Sequence, residues 1–336
     1  FASLGWLDEL EWKTFDVRVR ISRSLQPPPA GIEIILIDEA SLRMMNPLVG
    51  RWPWPRSIHA DVIDFLAASG ARWIAYDVLF TENEKNQALP TTELGESDRR
   101  LVSATAAADN VISAIQLVND TPDDYNPHLL NRPLPENFVQ KFALPVDFTE
   151  GVIPSGNNAY LPFPELTAAS KGIGVVDFSP DRDGIYRKAR LLRSYSESAF
   201  PGLALATLSD HWQPTRVTGA QLLLQSSVAG QPPLEVPVLN DGSYLINPYP
   251  SFNTSSMSGL LSTIQKLRQG EFDNLPLQPE DFRDKIIFIG ASAVGVEDLK
   301  STSFGSLQPG VFLHAAIVGN ILERDFLETM PQSAKI

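Results

Sequence analysis

Asp38, Asp77 and Ser292 each stand at or near the end of an apolar, β-branched run. Asp38 closes Ile32-Glu33-Ile34-Ile35-Leu36-Ile37, Asp77 lies late in Arg72 to Phe80, and Ser292 follows Asp284 to Gly290. Runs of this kind, without helical spacing, read as buried strands. If the three are parallel neighbours, two carboxylates and a hydroxyl open onto one edge of a sheet. Ligands of open α/β sheets sit in the crevice at the carboxyl ends of strands. Arg56 would add a cation to that edge and Asp298 a third carboxylate, giving a candidate ligand site of Asp38, Arg56, Asp77, Ser292 and Asp298. Polar, amino-acid-like or partly cationic molecules suit such a carboxylate excess. The alternative is structural: Asp38 caps a helix or turn, and Asp77 pairs with an arginine such as Arg56.

Other chemistry finds little support. The four histidines, His59, His128, His211 and His314, are scattered without the i, i+4 spacing of a zinc protease. With no cysteine, disulfides, thiolate metal sites and cysteine nucleophiles are excluded. Gly290 to Gly295 has neither the spacing of a nucleophile elbow nor the Gly-Lys-Ser/Thr ending of a phosphate loop. Gly172-Ile173-Gly174 does not continue into a dinucleotide fingerprint. Ser179 to Gly184 lacks the first and twelfth ligands of a calcium loop, the twelfth position being Arg190. No catalytic residue, metal or cofactor is therefore expected. The formal net charge of -13 makes nucleic acid an improbable partner and argues against flat binding to anionic headgroups. No window has the ~20 consecutive apolar residues of a membrane span.

The elements that would position these groups follow from the pattern. Residues 6–22 begin with helical apolar spacing that drifts toward alternation. Trp52-Pro53-Trp54-Pro55 reads as a turn, Trp52 and Trp54 as packing anchors, and Ser57 as the N-cap of a helix through Ser69, stopped by Gly70. Arg56 is expected to pair with Asp77 or Asp38, since a buried charge needs a partner. An Ala-rich helix at 98–108 precedes a strand at 110–115, and 118–165 is a long irregular excursion. Asp181-Arg182-Asp183-Gly184 between two alternating segments, 172–178 and 185–192, predicts a β-hairpin. A helix near 202–211, strands near 221–225, 235–238, 244–247 and 284–290, and a closing helix over 311–323 complete the pattern. The fold class is α/β: a mixed, centrally parallel sheet with helices on both faces and a hairpin-rich second half. Strands at 32–38, 73–79, 111–115 and 285–290 should share one sheet, the first two parallel.

This string resembles the cyclase/histidine-kinase-associated sensory extracellular domain, type 2 (CHASE type 2), of bacterial receptors. The likeness begins at Phe15-Asp16-Val17-Arg18 and the strand ending at Asp38. Its most specific stretch is Trp52-Pro53-Trp54-Pro55-Arg56, then Gly70-Ala71 and Tyr76-Asp77-Val78-Leu79-Phe80. It continues through Asp98, Asn110-Val111, the Gly172-Ile173-Gly174 segment leading to Asp183-Gly184 with Arg187, and Phe200-Pro201. It ends with Lys285 to Gly290, Asp298, Pro309-Gly310-Val311 and His314-Ala315. Thr302-Ser303-Phe304 departs from the Thr-Pro of the pattern.

The resemblance implies one extracytoplasmic sensory domain over 12–328. Residues 1–11 and 329–336 would be connectors to membrane-spanning helices of the parent, which acts as a homodimer. It further implies an unknown small-molecule or protein ligand and an intracellular cyclase or kinase output. Both chain ends should then face the membrane, with Trp6 and Trp12 suited to the interface. Two other readings remain open. One is a secreted or cytoplasmic hydrolase using Ser292, His314 and a carboxylate; the other is a ligand-free dimerisation module.

Overall fold

The computed structural model describes residues 5–84, 94–119, 134–148, 153–293, 299–305 and 307–327, with the backbone alone over 5–9. Its helices are α1 (Gly5–Arg23), α2 (Glu39–Val49), α3 (Arg56–Ala68), α4 (Glu96–Ala108), α5 (Glu136–Phe142), α6 (Pro164–Ala169), α7 (Leu203–Ala206), α8 (Met257–Arg268) and α9 (Val311–Glu323).

The main sheet runs Thr254–Ser256, Ile32–Ile37, Ile286–Ala291, Trp73–Tyr76, Val111–Val118. Val111–Val118 then pairs in parallel with Gly172–Val175 and, further along, antiparallel with Asn158–Tyr160. All other pairings in this sheet are parallel. The four expected strands thus share one sheet, and the first two are parallel. They are not adjacent, because Ile286–Ala291 lies between them.

Side-chain alternation explains why the first strand is apolar throughout. Ile32 and Ile34 point to a core formed with α7 and α9, whereas Ile35 and Ile37 point to one formed with α3, α4 and α8. Both faces are covered, as in parallel sheets generally. Two glycines permit the closest approaches. A Cβ on Gly174 would lie 2.4 Å from Leu203 Cα, and one on Gly290 would lie 2.7 Å from Val311 Cβ. Gly310 is the N-cap of α9. The core on the α9 side extends to the antiparallel strands Trp212–Val217, Gln221–Ser226 and Leu234–Pro237.

Several expectations are corrected. The leading segment is one continuous helix, α1. Ser57 is not an N-cap: α3 starts at Arg56 after Pro55, and the Ser57 amide donates to Ser97 Oγ at 2.8 Å. The flanks of Asp181–Gly184 form no hairpin. The turn itself exists, with Gly184 at φ 82°, but Gly172–Val175 is claimed by Val111–Val118 and Lys188–Ala189 by Tyr244–Leu245. Pairing inside the large sheet outcompetes the local option. Hairpins occur instead at Leu192–Pro201 and within 212–237. The helix expected near 202–211 is shorter, Leu203–Ala206. Within 118–165, the described residues include α5, α6 and three short strands.

Candidate carboxyl-edge site and its surroundings

At the carboxyl edge of the main sheet, Asp38 caps α2. Its Oδ1 accepts from the Ser41 amide (2.8 Å), Ser41 Oγ (2.6 Å) and Ser256 Oγ (3.0 Å). Ser256 is itself the N-cap of α8, so one carboxylate ties a strand end to two helix starts, where partial positive charge favours an anion. All three bonds fall on Oδ1; among the described residues Oδ2 accepts none. Next along, the Ser292 and Ala293 amides donate to the Ile37 carbonyl at 3.0 and 3.2 Å, which folds the chain across the end of the first strand. The Asp77 amide donates to the Ile289 carbonyl at 2.8 Å. Asp38 and Asp77 therefore flank the strand that leads to Ser292, two strand spacings or about 10 Å apart. Three of the five candidate residues share this edge. Asp298 lies outside the described residues.

Arg56 has other partners than those expected. Its guanidinium stacks 4.6 Å above the Phe80 ring, and the carboxylates facing it are Glu84, Asp98 and Glu82, not the expected Asp77 or Asp38. The Arg56 amide also donates to Glu84. Burial lowers the Arg56 pKa, partly offset by these carboxylates. Sequence reasoning missed Glu84 because 81–97 is polar and aperiodic, with nothing to show that its first residues, up to Glu84, lie against the start of α3. Arg56→Ala should lower the unfolding free energy by more than about 1 kcal/mol, since it leaves Asp98 buried without its cation. Urea titration tests this, and a loss within about 0.5 kcal/mol would count against the assignment.

The rings of Trp52 and Trp54 lie 5.1 Å apart in edge contact, and Trp54 is fully buried. Trp52, Tyr76 and Phe80 surround the His59 ring. Neither ring nitrogen of His59 has a hydrogen-bond partner among the described residues, and burial pushes its pKa down to about 3, so the ring stays neutral. His314 behaves alike. Its ring lies against Phe178 and Phe288, Nε2 is 4.0 Å from Asp77 Oδ1, and burial brings its pKa to about 3. A water-sized cavity beside it is lined by Asp177, Phe178 and Leu203 among others. Burial raises the Asp177 carboxyl to about 6 against the pull of Arg193, 3.1 Å away.

Two polar clusters bind α1 to the domain. Asp16 accepts bidentate bonds from buried Arg187 (2.8 and 2.7 Å), which also bonds Asp181 and Asp183 and lies under Trp12. Trp12 thus packs on the domain. At the end of the helix, Arg23 pairs with Asp325 and donates to the Pro248 carbonyl at 3.3 Å. Asn247 reaches both Asp325 and Asn320, and Tyr249 donates to Glu323 at 2.8 Å. The last turn of α1 is thereby joined to the end of α9. No motif announced Arg23 or Asp325, because the pair forms between distant parts of the chain.

No helix among the described residues is long and apolar enough to cross a membrane, and no group of three or more metal-binding side chains occurs among them. No curated protein and no solved structure matches the chain. A sequence model of the CHASE2 domain matches residues 1–336, its whole length. A parallel sheet carrying the Trp-Pro-Trp-Pro turn on one face and the closing helix on the other is thus the framework of a CHASE2 domain, and the chain belongs to that family of sensory, non-catalytic extracellular domains of signalling receptors.

Proposed function

We propose that the chain senses a ligand at the carboxyl edge of its sheet and relays the event through the joined ends of α1 and α9. The observation that carries this reading is the Arg23–Asp325 pair, which makes the two segments leading toward the chain ends one mechanical unit. The input side comprises Asp38, Asp77 and Ser292, with Oδ2 of Asp38 as an acceptor for a donor-bearing small molecule or peptide. The parent receptor is read as a membrane-spanning homodimer whose intracellular output is a cyclase or a kinase. A ligand shifts such a receptor only by its differential affinity for two arrangements, so the joint must differ between them. In the full-length receptor, Arg23→Gln is expected to change basal output about fivefold at unchanged membrane abundance, the scale of an ordinary coupling energy. Unchanged output at equal abundance would sink the reading.

A further inference from the structure

The outward face of α1 meets no other element among the described residues. Trp12, Asp16, Val19 and Arg23 turn toward the domain, while Leu10, Val17 and Ile21, spaced by seven and four residues, are 52%, 50% and 72% exposed. Leu25, just past the helix, is almost wholly exposed. This concentration of apolar surface is flanked by charge of one prevailing sign. Between residues 10 and 25 the exposed charges are Lys13, Arg18 and Arg20 against Glu11 alone. The chain as a whole is strongly acidic, at -13, so its net charge conceals a locally cationic face.

From this geometry we infer that α1 docks flat on an anionic lipid surface. An apolar stripe bordered by Lys and Arg is the pattern of helices that lie in the headgroup plane. Each basic side chain near such a surface is attracted to it, and the rest of the acidic domain is held off. A second copy of the chain fits less well. Parallel pairing along the Leu10, Thr14, Val17, Ile21 stripe sets Lys13 against Arg18 of the other copy. Antiparallel pairing relieves that flank through Glu11 but sets Lys13 against Arg20. Repulsion on at least one flank accompanies either orientation, whereas an anionic membrane satisfies both flanks together. The inference rests on the receptor reading only in that it places a membrane beside the domain.

The test uses the purified 336-residue chain, monitored by flotation with phosphatidylcholine vesicles with or without about one-third phosphatidylglycerol, an anionic fraction sufficient for electrostatic recruitment. Wild type should float with the anionic vesicles and only weakly with neutral ones. Val17→Glu combined with Ile21→Glu should reduce partitioning at least about tenfold without loss of folding, both side chains being exposed. Lys13→Glu with Arg18→Glu should abolish the preference for anionic lipid. Wild type remaining unbound, or floating as well after either double substitution, overturns the proposal. So does a sedimentation experiment in which wild type is a dimer that Val17→Glu dissociates, because a second copy then covers the face. These outcomes are independent of receptor output, so the sensor reading can survive the loss of this one.

Discussion

Arg187→Met is expected to be the most damaging single substitution outside the apolar core, lowering the unfolding free energy by about 3–5 kcal/mol. The guanidinium is 1% exposed and makes five bonds to Asp16, Asp181 and Asp183, all between 2.7 and 3.1 Å. Removing it leaves mutually repelling carboxylates around a desolvated space, and α1 loses its central fastening. Lysine should not rescue, because it cannot reproduce the bidentate fork offered to Asp16. Combining Arg187→Met with Asp16→Asn should cost less than the sum of the two changes, since each removes the same contact. Urea unfolding followed by fluorescence measures all of this. A loss below about 1 kcal/mol, or strict additivity, would show that the cluster holds nothing together. The bond from Arg187 also keeps the Asp183 carboxyl below its usual range. That contribution is present above the unfolded pKa of about 3.9 and fades as the pH falls below it.

Acid should destabilise the domain below about pH 6.5, where histidines of the unfolded chain take up protons. His59 and His314 are neutral when folded, with pKa values near 3 from burial, while in the unfolded chain each titrates near about 6.5. For a group whose folded pKa is depressed, stability is complete above the unfolded value and lost as the pH falls. Asp177 acts in the opposite sense: burial raises it to about 6, so the folded form takes up a proton before the unfolded one. Across about pH 6 to 4 the unfolded chain holds about two protons on these three groups and the folded chain about one. The net slope is about 1.4 kcal/mol per pH unit, or about 3 kcal/mol over the interval. His59→Phe or His314→Phe should flatten the slope, and Asp177→Asn should steepen it. Urea midpoints from pH 4.5 to 7.5 provide the measurement. A profile flat down to pH 5 in wild type would refute the assignment of two buried neutral imidazoles.

Strands were the most legible part of the sequence. Ile32–Ile37 and Ile286–Ala291 are β-branched and buried on both faces, so their composition alone marks them. The closing helix, Val311–Glu323, was legible to the residue because Gly310 and a long apolar run bracket it. Among the described residues four helices, α2, α5, α6 and α8, have no counterpart in the pattern read from the sequence. Pro47 inside α2 and Gly259 near the start of α8 look like breakers, and tertiary packing overrides them. Aspartates were visible as residues but not as partners. Asp38 follows the helix-capping alternative for one oxygen, and Arg56 chooses Glu84 and Asp98 because the 80–84 segment folds back beside α3. The Asp-Gly turn was real, yet its flanks pair across distances that local rules do not sense.

The strand that divides the first from the second comes almost last in the chain. Ile32 finds its neighbour in Ile286, and Trp73 reaches the same strand from the other side. During synthesis, the amino-terminal strand-helix-strand unit must therefore wait with an open seam, its strand edges unfilled, until most of the chain has been made. Assembly of such non-local parallel pairings is slow and exposes edges to misassociation. A chain truncated before residue 286 should consequently collect as aggregate or protease fragments, not as a smaller folded domain. A separately supplied fragment carrying Ile286–Ala291 and α9 should be able to close the seam in trans.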